Sequence, residues 1–222
     1  MSIPPTRLVL TIATTLLLVA QPLLAFDTPL SEQAIREAYF LGQRRDDTMT
    51  RALDKYTYYL DQPESGPDIA SVTFFTPFAL AVQSSSQHSS GYSAQQAQID
   101  HRAQKETVKI IVEILLTKTY SNVIVRPTST RSNSSTGFAP RPYDFWKDFD
   151  VQTTVDEKPV RPFTSTGHPD VQCSDQGSCT LTGATIELEF LAESFTSTSA
   201  TVLITPPEGD PVQVDFDLTS LR

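Results

Sequence analysis

The chain has 222 residues and a formal net charge of −9. It is long enough to bury a core of its own and too acidic to offer the broad basic field that holds a phosphate backbone. Nucleic acid is therefore not expected as a partner, anionic membrane surfaces are disfavoured by the same charge, and two cysteines cannot build a four-cysteine zinc centre.

Residues 1–25 read as a signal peptide. Arg7 is the only charged residue before Asp27, and it precedes the apolar run at residues 8–20, which Gln21-Pro22 breaks just before Ala25. The run falls short of the roughly 20 apolar residues a membrane-spanning helix needs. Cleavage near Ala25 predicts a secreted or periplasmic protein with no membrane span left. The alternative is an uncleaved N-terminal segment serving as a membrane anchor.

Residues 26–65 read as an N-terminal helical segment. Thr28-Pro29 or Ser31 offers a helix start, and Ala34, Ile35, Ala38, Tyr39 and Leu41 recur at helical spacing until Gly42. Asp47 or Thr48 offers the cap of a second helix carrying Met49, Leu53 and Tyr56 on one face. Two short helices are marginal alone, so this hairpin must lie on something larger.

Residues 66–222 read as one β-rich domain. Its strongest signal is TVKIIVEILLTKTY at residues 107–120, where Val108, Ile110, Val112, Ile114 and Leu116 fall on every second position. Before it, residues 69–75 (IASVTFF) predict a strand that Pro77 ends, followed by a polar loop at residues 83–91 and a short helix capped by Ser93. After it, Val123–Val125 extend the sheet and residues 126–142 form a Ser/Thr/Pro-rich loop. Strands follow at residues 146–153 and 160–166 around an Asp156-Glu157-Lys158-Pro159 turn. Alternating segments then carry Ile186, Leu188 and Phe190, then Ala200, Val202 and Ile204, then Val214, Phe216 and Leu218. The expected fold is α+β: a helical hairpin packed against a mainly antiparallel β-sandwich or partly open barrel.

Cys173 and Cys179 bracket a short loop, and in an exported chain they predict a disulfide. The chain lacks Gly-x-Ser-x-Gly, Gly-x-x-x-x-Gly-Lys-Ser/Thr, His-Glu-x-x-His and Gly-x-Gly-x-x-Gly, and no cofactor is implied. Among the three histidines, His88 falls in the Ser-rich loop and His101 on an exposed helix face. His168, with Asp170 and Asp175, offers metal-ligand types close in sequence, against the plainer reading of a polar loop. Carboxylates at Asp144, Asp148 and Asp150, and at Glu208, Asp210, Asp215 and Asp217, read as wet strand faces or turns, with calcium as the functional alternative. Tyr143 and Trp146, beside Phe145 and Phe149, are either core fillers or a platform for sugars.

Four segments, AIREAYFLGQR at residues 34–44, TPFALAV at 76–82, YSAQQAQ at 92–98 and VDFDLTSL at 214–221, resemble uncharacterised predicted secreted proteins of bacteria. The resemblance implies a compartment and a shape, and no chemistry. The expected function is a non-enzymatic exported module that binds an unknown protein or glycan partner. The alternatives are a metal-dependent or hydrolytic enzyme using His168 and Asp170, and a carbohydrate-binding module using Tyr143 and Trp146.

Overall fold

The computed structural model describes residues 26–88, 91–130 and 133–222. The expected signal peptide, residues 1–25, lies outside the described residues.

The described chain is α+β. Four helices, α1 (Glu32–Arg44), α2 (Asp47–Asp54), α3 (Pro77–Gln87) and α4 (Ala94–Arg102), all precede the central strand. Eleven strands run as β1 (Thr57–Tyr59), β2 (Asp68–Phe75), β3 (Thr107–Leu115), β4 (Val123–Thr130), β5 (Asn133–Pro140), β6 (Asp150–Val155), β7 (Lys158–Val160), β8 (Thr164–Cys173), β9 (Cys179–Leu191), β10 (Ser199–Thr205) and β11 (Val212–Asp217). One sheet has the order β1-β2-β3-β9-β8 and a second β11-β10-β6-β7, and every pairing is antiparallel.

β3 is the middle of the larger sheet, and Val108, Ile110, Val112 and Ile114 are all fully buried. They meet Val202, Ile204 and Val214 of the second sheet in a single core. Phe74 and Phe216 join the layers directly, with ring centroids 5.3 Å apart. Phe195, just beyond β9, packs edge-on against Phe74 and Phe190. The alternation on β9, β10 and β11 therefore does what its period dictates, sending one side chain of each pair into the sandwich. Asp156 and Glu157 adopt positive φ of 50° and 61°, the backbone of a tight β6–β7 hairpin.

Several expectations are corrected. Of the two expected starts for α1, Ser31 is the cap, its side chain accepting from the Ala34 N–H, but the helix runs on through Gly42 to Arg44 instead of stopping there. A Cβ at Gly42 would lie 2.3 Å from the Val82 carbonyl oxygen, so its absence lets α1 and α3 touch. Asp46, rather than Asp47 or Thr48, caps α2. Residues 57–59 add an edge strand to the large sheet instead of prolonging the helix. The apolar stretch after Pro77 and the expected loop at residues 83–87 are the helix α3, with Thr76 as cap and Pro77 in its first turn. The two-helix hairpin is thus part of a larger helical cluster with its own small core of Leu30, Ala34, Ile35, Ala38, Phe78, Val82 and Ala97.

Val123–Val125 do not extend the large sheet. They begin β4, which pairs only with β5 in a two-stranded ribbon. The loop expected at residues 126–142 is therefore largely β-ribbon. Trp146 lies in a short 3-10 turn, Phe145–Asp148, instead of starting a strand.

Candidate functional site

Concavities lie where the helical cluster meets the end of the large sheet. Two adjoining clefts of about 260 and 660 Å³ share Ile35, His101, Gln104, Lys105 and Glu106. Their common wall is built by a short path: α4 ends at Arg102, the chain turns through Ala103–Lys105, and Glu106 leads into β3. The smaller cleft is completed by α3 with Lys109 and Glu189, the larger by Thr28–Leu30 and Leu191–Glu193.

Glu106 is the hub of this wall. Its Oε1 accepts from His101 Nε2 at 2.7 Å and from the Leu30 N–H at 2.6 Å, while Oε2 accepts from Thr28 Oγ1 at 2.6 Å. Its backbone carbonyl accepts from the Ala192 N–H. Burial pushes the carboxyl pKa up, but the hydrogen bonds from His101, Thr28 and Leu30 outweigh that and hold it below the usual carboxylate range. A carboxylate with three donors ties together the entering chain, α4 and β3. Its oxygens are committed to structure.

A carboxylate-oriented imidazole is also half of a catalytic dyad. The other half would be a nucleophile held by His101. Among the described residues no serine, threonine or cysteine hydrogen-bonds to that ring; the nearby Thr28 hydroxyl donates to Glu106 instead. Sequence reading placed His101 on an exposed face, whereas its side chain is only 19% exposed. The signal that would have found it is the five-residue interval from His101 to Glu106 across a helix–strand turn.

The outer face of the large sheet carries a further group of charges. Lys109 Nζ lies 3.0 Å from Glu187 and 3.3 Å from Glu189, its cross-strand neighbours. Burial works to lower the Lys109 pKa, but the hydrogen bonds and charges of Glu187 and Glu189 outweigh it and raise it. Ser71 Oγ donates to Glu113 Oε2 at 3.0 Å. Asp68, 8% exposed, has an Oδ1 with no hydrogen-bond partner, and burial followed by the charge of Glu113 pushes its pKa up.

The residues singled out in the sequence are spread over this frame. His168 lies on exposed edge strand β8, opposite Thr185. Asp170 sits two residues on, its Oδ2 accepting from Thr185 Oγ1 at 3.2 Å. Asp175 lies in the exposed turn between the cysteines. Among the described residues no group of three or more His, Cys, Asp or Glu side chains converges as metal ligands would. Asp144 pairs with Lys147, Asp150 accepts from Gln152, Asp215 from Thr201 and Asp217 from Thr219. His88 stacks on Tyr92, with centroids 3.9 Å apart.

Cys173 and Cys179 are joined in a disulfide at the tip of the β8–β9 hairpin. The aromatic group divides. Phe145 and Phe149 are buried around Tyr120, and Tyr143 is 57% exposed. Trp146 is half-buried over Gly167, where a Cβ would come within 2.5 Å of the indole. Tyr143 and Trp146 thus occupy different environments: one faces solvent, the other closes the β8 end of the core.

No protein-family model matches the chain, and no curated protein matches it in sequence. Among the described residues no helix is long and apolar enough to cross a membrane.

Proposed function

We propose that the chain is an exported, non-enzymatic module that acts by binding or assembly in the cell envelope or outside the cell. The observation that carries this reading is the Cys173–Cys179 disulfide, which closes an exposed hairpin tip and belongs to an oxidising compartment. The signal-like residues 1–25 support the same address. The use of polar groups supports the non-enzymatic part: Glu106, Asp170, Asp215 and Asp217 each spend their oxygens on neighbouring structure. The uncharacterised secreted bacterial proteins that the chain resembles fit this reading.

The test is fractionation of cells producing the full chain, with thiols alkylated before lysis and the product weighed intact. The reading expects recovery outside the cytoplasm, an N-terminus close to Phe26 and no alkylated cysteine. Full-length cytoplasmic protein carrying two alkylated cysteines would overturn it.

A further inference from the structure

Among the described residues three buried side-chain oxygens have no hydrogen-bond partner: the hydroxyls of Tyr120 and Thr153, and Oδ1 of Asp68. The carboxylate is the costly one, because an unpaired buried charge is penalised far more than a neutral hydroxyl. Glu113 adds to that cost, since its own charge acts on Asp68. Two acids side by side, one of them 8% exposed, call for a cation or a proton between them.

The strand register brings the pair together. Asp68 lies opposite Leu115 and Ser71 opposite Glu113, with a slip of one residue between Ile69 and Ser71. In a regular strand Asp68 and Ser71, three residues apart, would point to opposite faces. The bulge puts both on the outer face, because their partners Leu115 and Glu113 flank the fully buried Ile114. Bulges are a common means of re-aiming one side chain. Asp68 is then the diagonal neighbour of Glu113, about 7–8 Å away and within reach of its side chain. Carboxylates so placed can close on one ion held about 2.3–2.6 Å from each. Ser71 Oγ donates to Glu113 Oε2 at 3.0 Å and keeps lone pairs free as a third oxygen ligand. Glu113 is exposed, so the place is open to solvent.

The donor set selects the ion. Oxygen ligands without nitrogen or sulfur suit a hard cation, and ligands drawn from two strands at uneven spacing suit calcium's adaptable shell better than magnesium's octahedron. The aspartates at 144, 150, 215 and 217 differ from Asp68 in bonding to neighbouring side chains.

We propose that Asp68, Glu113 and Ser71 form a calcium site on the outer face of the large sheet, with water completing the shell. The ion ties β2 to β3 at the bulge, where their ladder is interrupted. With two carboxylates its affinity falls in the range of extracellular modules, about 10⁻⁴–10⁻³ M.

The experiment is thermal unfolding of the full chain at pH 7, in chelator and in about 5 mM calcium, at matched ionic strength. Calcium should raise the wild-type melting temperature by about 3–6 °C. Asp68→Asn should melt above the wild type in chelator and lose that advantage in calcium. Glu113→Gln should lose most of the calcium shift. Asp215→Asn, which removes the same charge from the other sheet, should keep it. A calcium shift that Asp68→Asn and Glu113→Gln retain would overturn the proposal, as would one that Asp215→Asn reduces equally, because that assigns it to screening of the net charge. So would a wild type indifferent to calcium, which assigns the unpartnered oxygen to a bound proton.

Discussion

Glu106 ties three separate parts of the molecule together through one side chain. Its three hydrogen bonds cross from β3 to α4 and to the entering chain, and bonds to a charged group contribute about 1.5–3 kcal/mol each. Glu106→Gln keeps the shape and removes the charge. It should lower stability by about 2–3 kcal/mol at neutral pH, measured by urea denaturation. Because the folded pKa is depressed, this stabilisation is present above the ordinary carboxylate pKa and is lost as pH falls through the folded value. The variant should therefore show a flatter acid limb. Asp68 has the opposite sign: its folded pKa is raised, so the cost appears as pH rises through the folded value. Without added calcium, Asp68→Asn should raise stability at pH 7 and leave it unchanged below the ordinary carboxylate pKa. A loss at pH 7 would show that Asp68 has a role its surroundings do not reveal. Neither residue was legible in the sequence. Composition shows a carboxylate, but its environment depends on strands far apart in the chain.

At the scale of elements, what could be read depended on whether the signal was periodic. β3, β9, β10 and β11 have one buried and one wet face, and a period of two reports that directly. α3 was hidden because its residues are apolar on nearly every side near its start and serine-rich at its end. Thr76-Pro77 is a valid helix start, yet the same pair is a valid strand end. The β4–β5 ribbon was hidden by composition, since Ser, Thr and Pro at that density signal a loop whether or not backbones pair. Gly42 tests the α1–α3 contact. A Gly-to-Ala change inside a helix ordinarily gains about 1 kcal/mol, but here the new methyl meets the Val82 carbonyl. Gly42→Ala should therefore lose roughly 1–3 kcal/mol net, and a rise in melting temperature would contradict the close approach. Replacing both cysteines by serine should cost about 2 kcal/mol, the value for so short a loop. That loss should match the loss seen when the wild-type chain is reduced.

Over the whole molecule, a net charge of −9 conceals an uneven distribution. The sandwich and its helical cap carry the acidic excess, and the ribbon carries none of it. Net charge argues against a broad basic field, and it is silent about a local one because summing over the chain discards position. The layered architecture was legible in advance since core burial imposes its period along each strand. The candidate cleft was not, because His101, Glu106 and Thr28 are joined by hydrogen bonds that leave no periodic trace. The central claim is of a sandwich centred on β3, with the β4–β5 ribbon outside both of its layers. Amide hydrogen exchange of the full chain tests both parts at once. The account predicts slowest exchange in β3, β9 and β10, and much faster exchange at Val123–Val125 and Phe138–Ala139. Rapid exchange in β3, or ribbon protection equal to that of β3, would contradict it.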